Sequence, residues 1–509
     1  MKKFFAGFGP FIILATVTGC SLLTSSDYPN NNESELNIPV PQPVQVRVAN
    51  ITDKTADKNV QLIKSVRGEF PLRIIHSNDT HSEFSKFPQH AKAIQNLRQN
   101  SEHSLLLDAG DFTSANVTQK EIDSLANAIT MNFLNYDVVT LGNHEFDQGE
   151  GIWDHSALAG FIEKTNFPVL SANVDLSPNE HLSSLATYNF TENTGRGLIF
   201  NGLITEFDHE KVGIFGITIY EDFFDDPGNV NFNDYTTAAK EAVAYFEEAG
   251  INKIIGLTHI GVGNDRRLAA AVPEIDIIIG GHSHVPALPS DRANRIGDTL
   301  VLQTGSYYES LGQLDVVFNK EGKLIEFNGQ LHPLEYFETD TEAEELLNHL
   351  NKSSEVVGII PKETFESITI SQHVLNSLLL KANHVSGQTD FSILPESSIN
   401  GTLTSGEMTY GDILNLLPFY EKMIIIDVTG KQIKQTVTAF EQETNQQIYS
   451  STNVDLTSIT DDRIYQIVTT EEALNSHTSL AKLLINSKIT KTEEIGFEIF
   501  IEYVQSFGM

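Results

Sequence analysis

From about residue 70 onward the chain alternates short, continuous apolar runs with longer amphipathic stretches. Leu72-Arg73-Ile74-Ile75 leads into HSNDTHSEF and then a helical pattern through Ala91, Ile94 and Leu97. Leu105-Leu106-Leu107 leads into DAGDF, and Val138-Val139-Thr140-Leu141 into GNHEFD. Ile254 to Thr258 leads into His259, and Ile277-Ile278-Ile279 into GGHSH. Apolar runs without a polar face predict strands covered on both sides, and their alternation with helical patterns predicts α/β layering. In such sheets, sites form at the carboxyl ends of strands. A single run ending in Asn, Asp or His is an ordinary turn signal. The same ending after all five runs is not explained by turn chemistry.

These endings carry a shared chemistry. Asp79 and His81 alternate, as two ligands from one strand end would, and Asp111 is a lone carboxylate able to bridge two cations. Asn143 offers a neutral oxygen, while His259, His282 and His284 offer imidazoles. Nitrogen and oxygen donors without thiolate suit zinc, manganese, cobalt, iron or similar divalent ions, and do not choose among them. Two such ions about 3.5–4 Å apart activate water and clamp a phosphoryl group. Set against two carboxylates, two dications would leave the site locally positive.

The remaining composition narrows the picture. A chain of 509 residues, 40% hydrophobic, implies two or more domains with sizeable cores. A formal net charge of −35 repels phosphate backbones, which excludes a nucleic acid polymer as partner. The start reads as a leader: Met1-Lys2-Lys3 is basic, Phe4 to Thr16 is apolar, and Val17-Thr18-Gly19-Cys20 closes it with the only cysteine of the chain. This is the pattern of a secretory signal and is too short to span a bilayer. Residues 21–69 are polar and turn-rich, with Pro39, Pro41 and Pro43, and read as a flexible tether. V-T-G-C resembles the lipobox of bacterial lipoproteins. That resemblance implies cleavage before Cys20, lipid on its sulfur, and a protein anchored to a bacterial membrane in the cell envelope with its catalytic domains outside the cytoplasm.

Taken in order, D-x-H, G-D, G-N-H-E, H and G-H-x-H resemble the calcineurin-like metallophosphoesterases. The closer resemblance is to the secreted 5′-nucleotidase family, through GNHEFDQG (142–149), PVLSANV (168–174), KVGIFGIT (211–218) and LQTGSYYESLGQLDV (302–316). It continues through GEMTYGDILNLLPF (406–419) and VTGKQI (428–433). The resemblance implies an α/β fold: a four-layer α/β/β/α sandwich over 70–338, a linker helix over 339–358, and a smaller α+β substrate domain over 359–509. It implies that Asp79, His81, Asp111 and His284 hold one metal and that Asp111, Asn143, His259 and His282 hold the other. His144 is then the imidazole that serves the transition state or the leaving oxygen, and Asp147 orients it. The implied protein is a monomeric phosphoester hydrolase with two divalent metal ions and a small phosphorylated substrate, a nucleotide above all. The alternatives are a cyclic-nucleotide or UDP-sugar phosphodiesterase or pyrophosphatase built on the same centre, and a non-catalytic surface binding lipoprotein.

In the second domain the chain departs from the family. Members that take nucleotides carry NGGGIR, whose arginine grips the substrate. Here the register reads Pro395-Glu396-Ser397-Ser398-Ile399-Asn400, with Asn400 in the arginine's place. Beyond residue 350 the chain has one arginine, Arg463. Phe419 matches one of the two aromatics that sandwich the base, and no match for the other is evident. Asn cannot replace charge-assisted, bidentate contacts. The expectation is an intact metal end, a rebuilt specificity end, and weak discrimination between AMP and a simple aryl phosphate.

Overall fold

The computed structural model describes residues 69–99, 101–113, 120–147, 155–192, 196–219, 229–399, 403, 405–418, 421–444, 446–451, 454–456, 458–475, 478–485 and 487–508. Cys20, Asn400 and Phe419 lie outside these residues, as does the side chain of Asp147.

Two seven-stranded sheets build the first body. Across the first sheet the strands run Leu324–Pro333, Ser310–Phe318, β1 (Phe70–Ser77), β2 (Ser104–Asp108), β3 (Val138–Thr140), Val169–Leu170 and Ile199–Phe200. β1, β2 and β3 are mutually parallel, and Ser310–Phe318 runs antiparallel to β1. The second sheet runs Arg295–Ile296, Thr299–Leu302, β5 (Ile277–Gly280), β4 (Ile254–His259), Glu210–Thr218, Gly202–Phe207 and Phe190–Thr191. Its β4 and β5 are parallel.

The apolar runs explain the layering. Successive strand residues point to opposite faces. Ile74, Leu105, Leu107, Val138, Leu257, Ile277 and Ile279 share one buried cluster between the two sheets. Their alternates on the first sheet, Ile75, Leu106 and Val139, join the helix-covered core under α1 (Phe87–Arg98) and α2 (Lys120–Leu134). Ile278 joins the corresponding core on the second sheet, with Ala242 and Phe246 of the helix Tyr235–Glu248. Both faces of both sheets are therefore covered, giving helix, sheet, sheet, helix. The four-layer expectation holds. Beyond the sandwich, Asp340 caps the helix Thr341–Asn351 by accepting from the Ala343 backbone. The C-terminal part then forms a five-stranded sheet in the order Ile448–Ser450, Phe391–Pro395, Ile464–Thr470, Lys422–Thr429 and Lys488–Ile495, with helices packed on it. Among the described residues, no helix is long and apolar enough to cross a membrane.

One polar residue interrupts the first apolar run. Arg73 stands directly opposite Asp315 across the antiparallel pair. Its Nε lies 2.6 Å from Asp315 Oδ1 and its Nη2 3.0 Å from Oδ2, while Nη1 donates to the Leu97 carbonyl at 2.9 Å. Gln313 Nε2 donates to the same carboxylate at 2.7 Å. Both charges are buried and fully partnered, which is the condition under which such a pair is tolerated. Removing one partner strands the other. Asp315→Ala should lower the unfolding free energy by about 3–5 kcal/mol, read from chemical denaturation; an unchanged midpoint would contradict this account.

Candidate metal centre

The five strands end at one place. Asp79 and His81 follow β1, Asp111 follows β2, Asn143 follows β3, His259 closes β4, and His282 and His284 follow β5. The donor atoms of Asp79, His81 and His284 lie within 4.8 Å of one another, and so do those of Asp111, His259 and His282. His284 Nε2 is 3.1 Å from Asp79 Oδ1 and 3.1 Å from His81 Nε2. On the other side, His259 Nε2 is 3.0 Å from Asp111 Oδ2, and His282 Nδ1 is 2.9 Å from Asn143 Oδ1. His259 Nε2 also stands 3.8 Å from Asp79 Oδ1, so the two groups adjoin. All seven residues expected as ligands converge, and they divide into two sets.

The backbone around them is unusual. Asp79, His81, Asp111, His282 and His284 all have positive φ, between 48° and 78°. Left-handed backbone in non-glycine residues stores strain that surrounding structure must hold, and it concentrates at functional sites. Gly142 shows how closely the loops are pressed: a Cβ there would stand 2.2 Å from Asp111 Oδ1 and 2.4 Å from its backbone nitrogen.

Four residues that the motifs leave without a role hold this geometry. Glu145, fully buried, accepts from the backbone nitrogens of Asp111 (2.9 Å), Thr113 (3.0 Å) and Gly142 (2.6 Å), and from the Thr113 hydroxyl. Two donors on each oxygen require the ionised form, although burial and the Asp111 carboxylate push its pKa up to about 7. Asn78 Nδ2 donates to Asp79 Oδ2 at 2.6 Å, while its Oδ1 accepts from Thr304 N. Asp108 accepts from Ser77 Oγ and from Gly110 N, tying the end of β1 to the turn after β2; burial raises its pKa to about 7. Tyr307 donates its backbone N–H to the Asp79 carbonyl, and its ring packs 5.0 Å from that of His81. All four lie inside the quoted motifs, so the only signal was that placement, near the expected ligands for Asn78, Asp108 and Glu145.

The donor set fits divalent metal. Asp79 and Asp111 are buried carboxylates, and the fully buried His259 Nε2 has no hydrogen-bond partner although Asp111 Oδ2 lies beside it. A buried imidazole nitrogen and a carboxylate oxygen held 3.0 Å apart suit two groups sharing a cation. Burial works against charge on His259, yet the Asp111 and Asp79 carboxylates raise its pKa to about 10. Burial likewise opposes ionisation of Asp111, but the neighbouring imidazoles, His259 first, hold its pKa well below the usual carboxylate range. The His259 tautomer is set from behind: its Nδ1 lies 2.7 Å from the Ala109 carbonyl, leaving Nε2 for the site. His144 N donates to Asp111 Oδ1 at 2.9 Å, and its ring sits 5.4 Å from that of His81. A ring nitrogen of His144 stands within 4.8 Å of a ring nitrogen of His81 and of a carboxylate oxygen of Asp111, so the imidazole borders both sets. His144 and Asp147 open and close one short 3₁₀ turn.

Comparison with known proteins meets this geometry. Residues 72–286 match the calcineurin-like phosphoesterase model, and residues 356–479 match the 5′-nucleotidase C-terminal domain. The chain belongs to this two-domain phosphoesterase family. The trifunctional nucleotide phosphoesterase protein of Bacillus subtilis (strain 168) is similar at 32% identity over 407 residues, which are 73% of this chain and 27% of that one. A snake venom 5′-nucleotidase of Gloydius brevicauda is similar at 28% over 444 residues, 74% of this chain and 70% of that one. Among solved structures, a 5′-nucleotidase precursor from Thermus thermophilus is similar at 22% identity and a TM-score of 0.47, covering 86% of this chain and 97% of that one. The family uses divalent metals, and the clustered donors here are candidates to hold them.

The scaffold can be tested apart from the ligands. Glu145→Gln turns one acceptor oxygen into a donor facing backbone N–H groups. Each charge-assisted bond lost costs about 1.5–3 kcal/mol. The variant should unfold at lower denaturant and retain less metal after dialysis; wild-type values for both would remove Glu145 from the account.

Proposed function

We propose that this protein is a dinuclear metal-dependent phosphoester hydrolase of the 5′-nucleotidase kind, releasing phosphate from nucleotides or related small phosphoesters. The observation that carries the reading is the convergence of Asp79, His81 and His284 beside Asp111, His259, His282 and Asn143, with Asp111 between the sets. In this reading the first three residues and Asp111 hold one ion, and Asp111 with Asn143, His259 and His282 hold the other. Bound divalent metal supplies Lewis-acid activation of water and of the phosphoryl group. The protein's own residues do the rest. Asp111 stays ionised under the influence of its imidazole neighbours and is available to both sets. The Ala109 carbonyl holds His259 with Nε2 inward. His144, fixed through its backbone bond to Asp111, presents an imidazole to the leaving oxygen and donates a proton to it; Asp147, three residues on, orients that ring.

Two further readings belong to the same proposal. Asn400 in place of the family's arginine supports weak selection for AMP over an aryl phosphate, with Phe419 as the remaining aromatic at the distal end. V-T-G-C at 17–20 supports lipid attachment at Cys20 and anchoring in the cell envelope. Labelling with a palmitate analogue should mark the wild type, and Cys20→Ser should lose label and membrane retention together; a wild type that stays unlabelled and soluble would end that reading.

Chelation should abolish turnover of both AMP and an aryl phosphate, and Mn²⁺ or Co²⁺ should restore it. His144→Ala should then cut kcat by roughly 10²–10⁴-fold while metal content stays near the wild-type value. Activity that survives exhaustive chelation would sink the dinuclear reading. A His144→Ala protein depleted of metal would instead make His144 a ligand.

A further inference from the structure

The turn after the second sheet's Thr299–Leu302 strand carries two adjacent tyrosines in left-handed backbone, Tyr307 and Tyr308, each at φ 51°, after Gly305 at φ 107°. Two consecutive bulky residues in this region are costly and persist only where the surroundings fix them. Tyr308 is fixed inward, buried with its ring 4.3 Å from that of His90. Tyr307 is turned the other way. Its backbone N–H is held by the Asp79 carbonyl at 2.8 Å, and its ring lies 5.0 Å from His81 and 5.6 Å from His284. Despite these contacts, Tyr307 remains 46% exposed. Its carbonyl accepts from Lys86 Nζ at 3.2 Å, which ties an ammonium with donors to spare to the same residue. The strain thus presents a half-open aromatic and a cation at the edge of one ligand set.

We infer that Tyr307 and Lys86 form a leaving-group subsite on the first domain, taking phosphate esters whose ester oxygen carries a flat ring in preference to open-chain esters. The inference rests on the phosphoesterase reading above and adds the substrate class. Reach decides what the ring can meet. Standing 5.0 and 5.6 Å from two imidazoles assigned to metal, Tyr307 neighbours the first atoms beyond a bound phosphoryl group, not a base at the far end of a nucleoside. An aryl ring there would stack or meet the tyrosine edge-on, whereas an acyclic chain offers little to the π-face. Lys86 adds attraction for the phosphoryl end, an effect screened by salt. Such a subsite also fits a second domain that lacks the family's arginine, since selectivity then shifts toward the metal centre.

Binding of non-hydrolysable phosphonates separates this from chemistry. With Zn²⁺-loaded protein, calorimetric titration should show phenylphosphonate binding more tightly than methylphosphonate. Tyr307→Leu should shrink that ratio by about three- to tenfold, the scale of one aromatic pair, and Tyr307→Phe should keep it within about twofold. Lys86→Met should weaken both ligands alike and flatten their salt dependence. If Tyr307→Leu fails to fold or load, phenyl proton shifts decide: in the wild type they should move on binding through the tyrosine ring current, and Tyr307→Phe should preserve the move. Equal weakening of both phosphonates by Tyr307→Leu, or phenyl shifts that do not move, would overturn the subsite while leaving the hydrolase reading intact. Failure of the loaded wild type to bind either phosphonate would overturn both.

Discussion

The structure depends on keeping two buried carboxylates, Asp79 and Asp111, in one small volume. Both are essentially inaccessible to solvent, and His259 Nε2 stands 3.8 Å from one and 3.0 Å from the other. Two carboxylates flanking one imidazole nitrogen in a buried, low-dielectric volume repel each other, and this strains the fold unless positive charge lies between them. Imidazoles supply part of it: against the opposing effect of burial, the Asp111 and Asp79 carboxylates raise the His259 pKa and His259 lowers that of Asp111. The scaffold bears the remainder: Glu145 clamps the turns after β2 and β3, Asn78 grips the Asp79 carboxylate, and Asp108 ties β1 to the turn after β2. Each limits how far the ligand loops can relax away from one another.

Much of this was legible in the amino-acid order alone. Ile74 and Ile75, or Leu105 to Leu107, sit in runs with no polar face, and only a doubly covered sheet gives both alternates a core. The convergence of the donor side chains was legible because polar residues recurred at the ends of those same runs. Arg73 was not: in sequence it looked like a blemish in an apolar strand, and its partner Asp315 is 242 residues away, set by an antiparallel register that no local pattern encodes. Glu145 was hidden differently. It stood in full view within GNHEFD, but its work is done on backbone N–H groups of Asp111, Thr113 and Gly142. Residue types can suggest a ligand; they cannot show that a carboxylate has turned its back on the site to hold the chain that carries it. Tyr307 and Tyr308 are the same case for conformation, since a pair of tyrosines gives no notice that both lie in left-handed backbone.

Electrostatics then sets an order of events. A chain of formal charge −35, with two of its carboxylates buried together at the candidate centre, is a poor receptor for phosphate. At physiological ionic strength, screening limits distant surface charge to about 8 Å, so the sign seen by an approaching anion is set by the site and its rim. Without metal that sign is governed by Asp79 and Asp111, and it favours dications over phosphate. In the two-ion reading proposed above, bound metal would neutralise the carboxylates and leave a positive excess. The acidic surface, which looks ill suited to an enzyme of phosphate esters, is therefore compatible with one on a single condition: metal must be in place before the substrate arrives. The rigid, strained loops around the donors make that condition workable, because ligands already converged lose little conformational freedom when an ion enters.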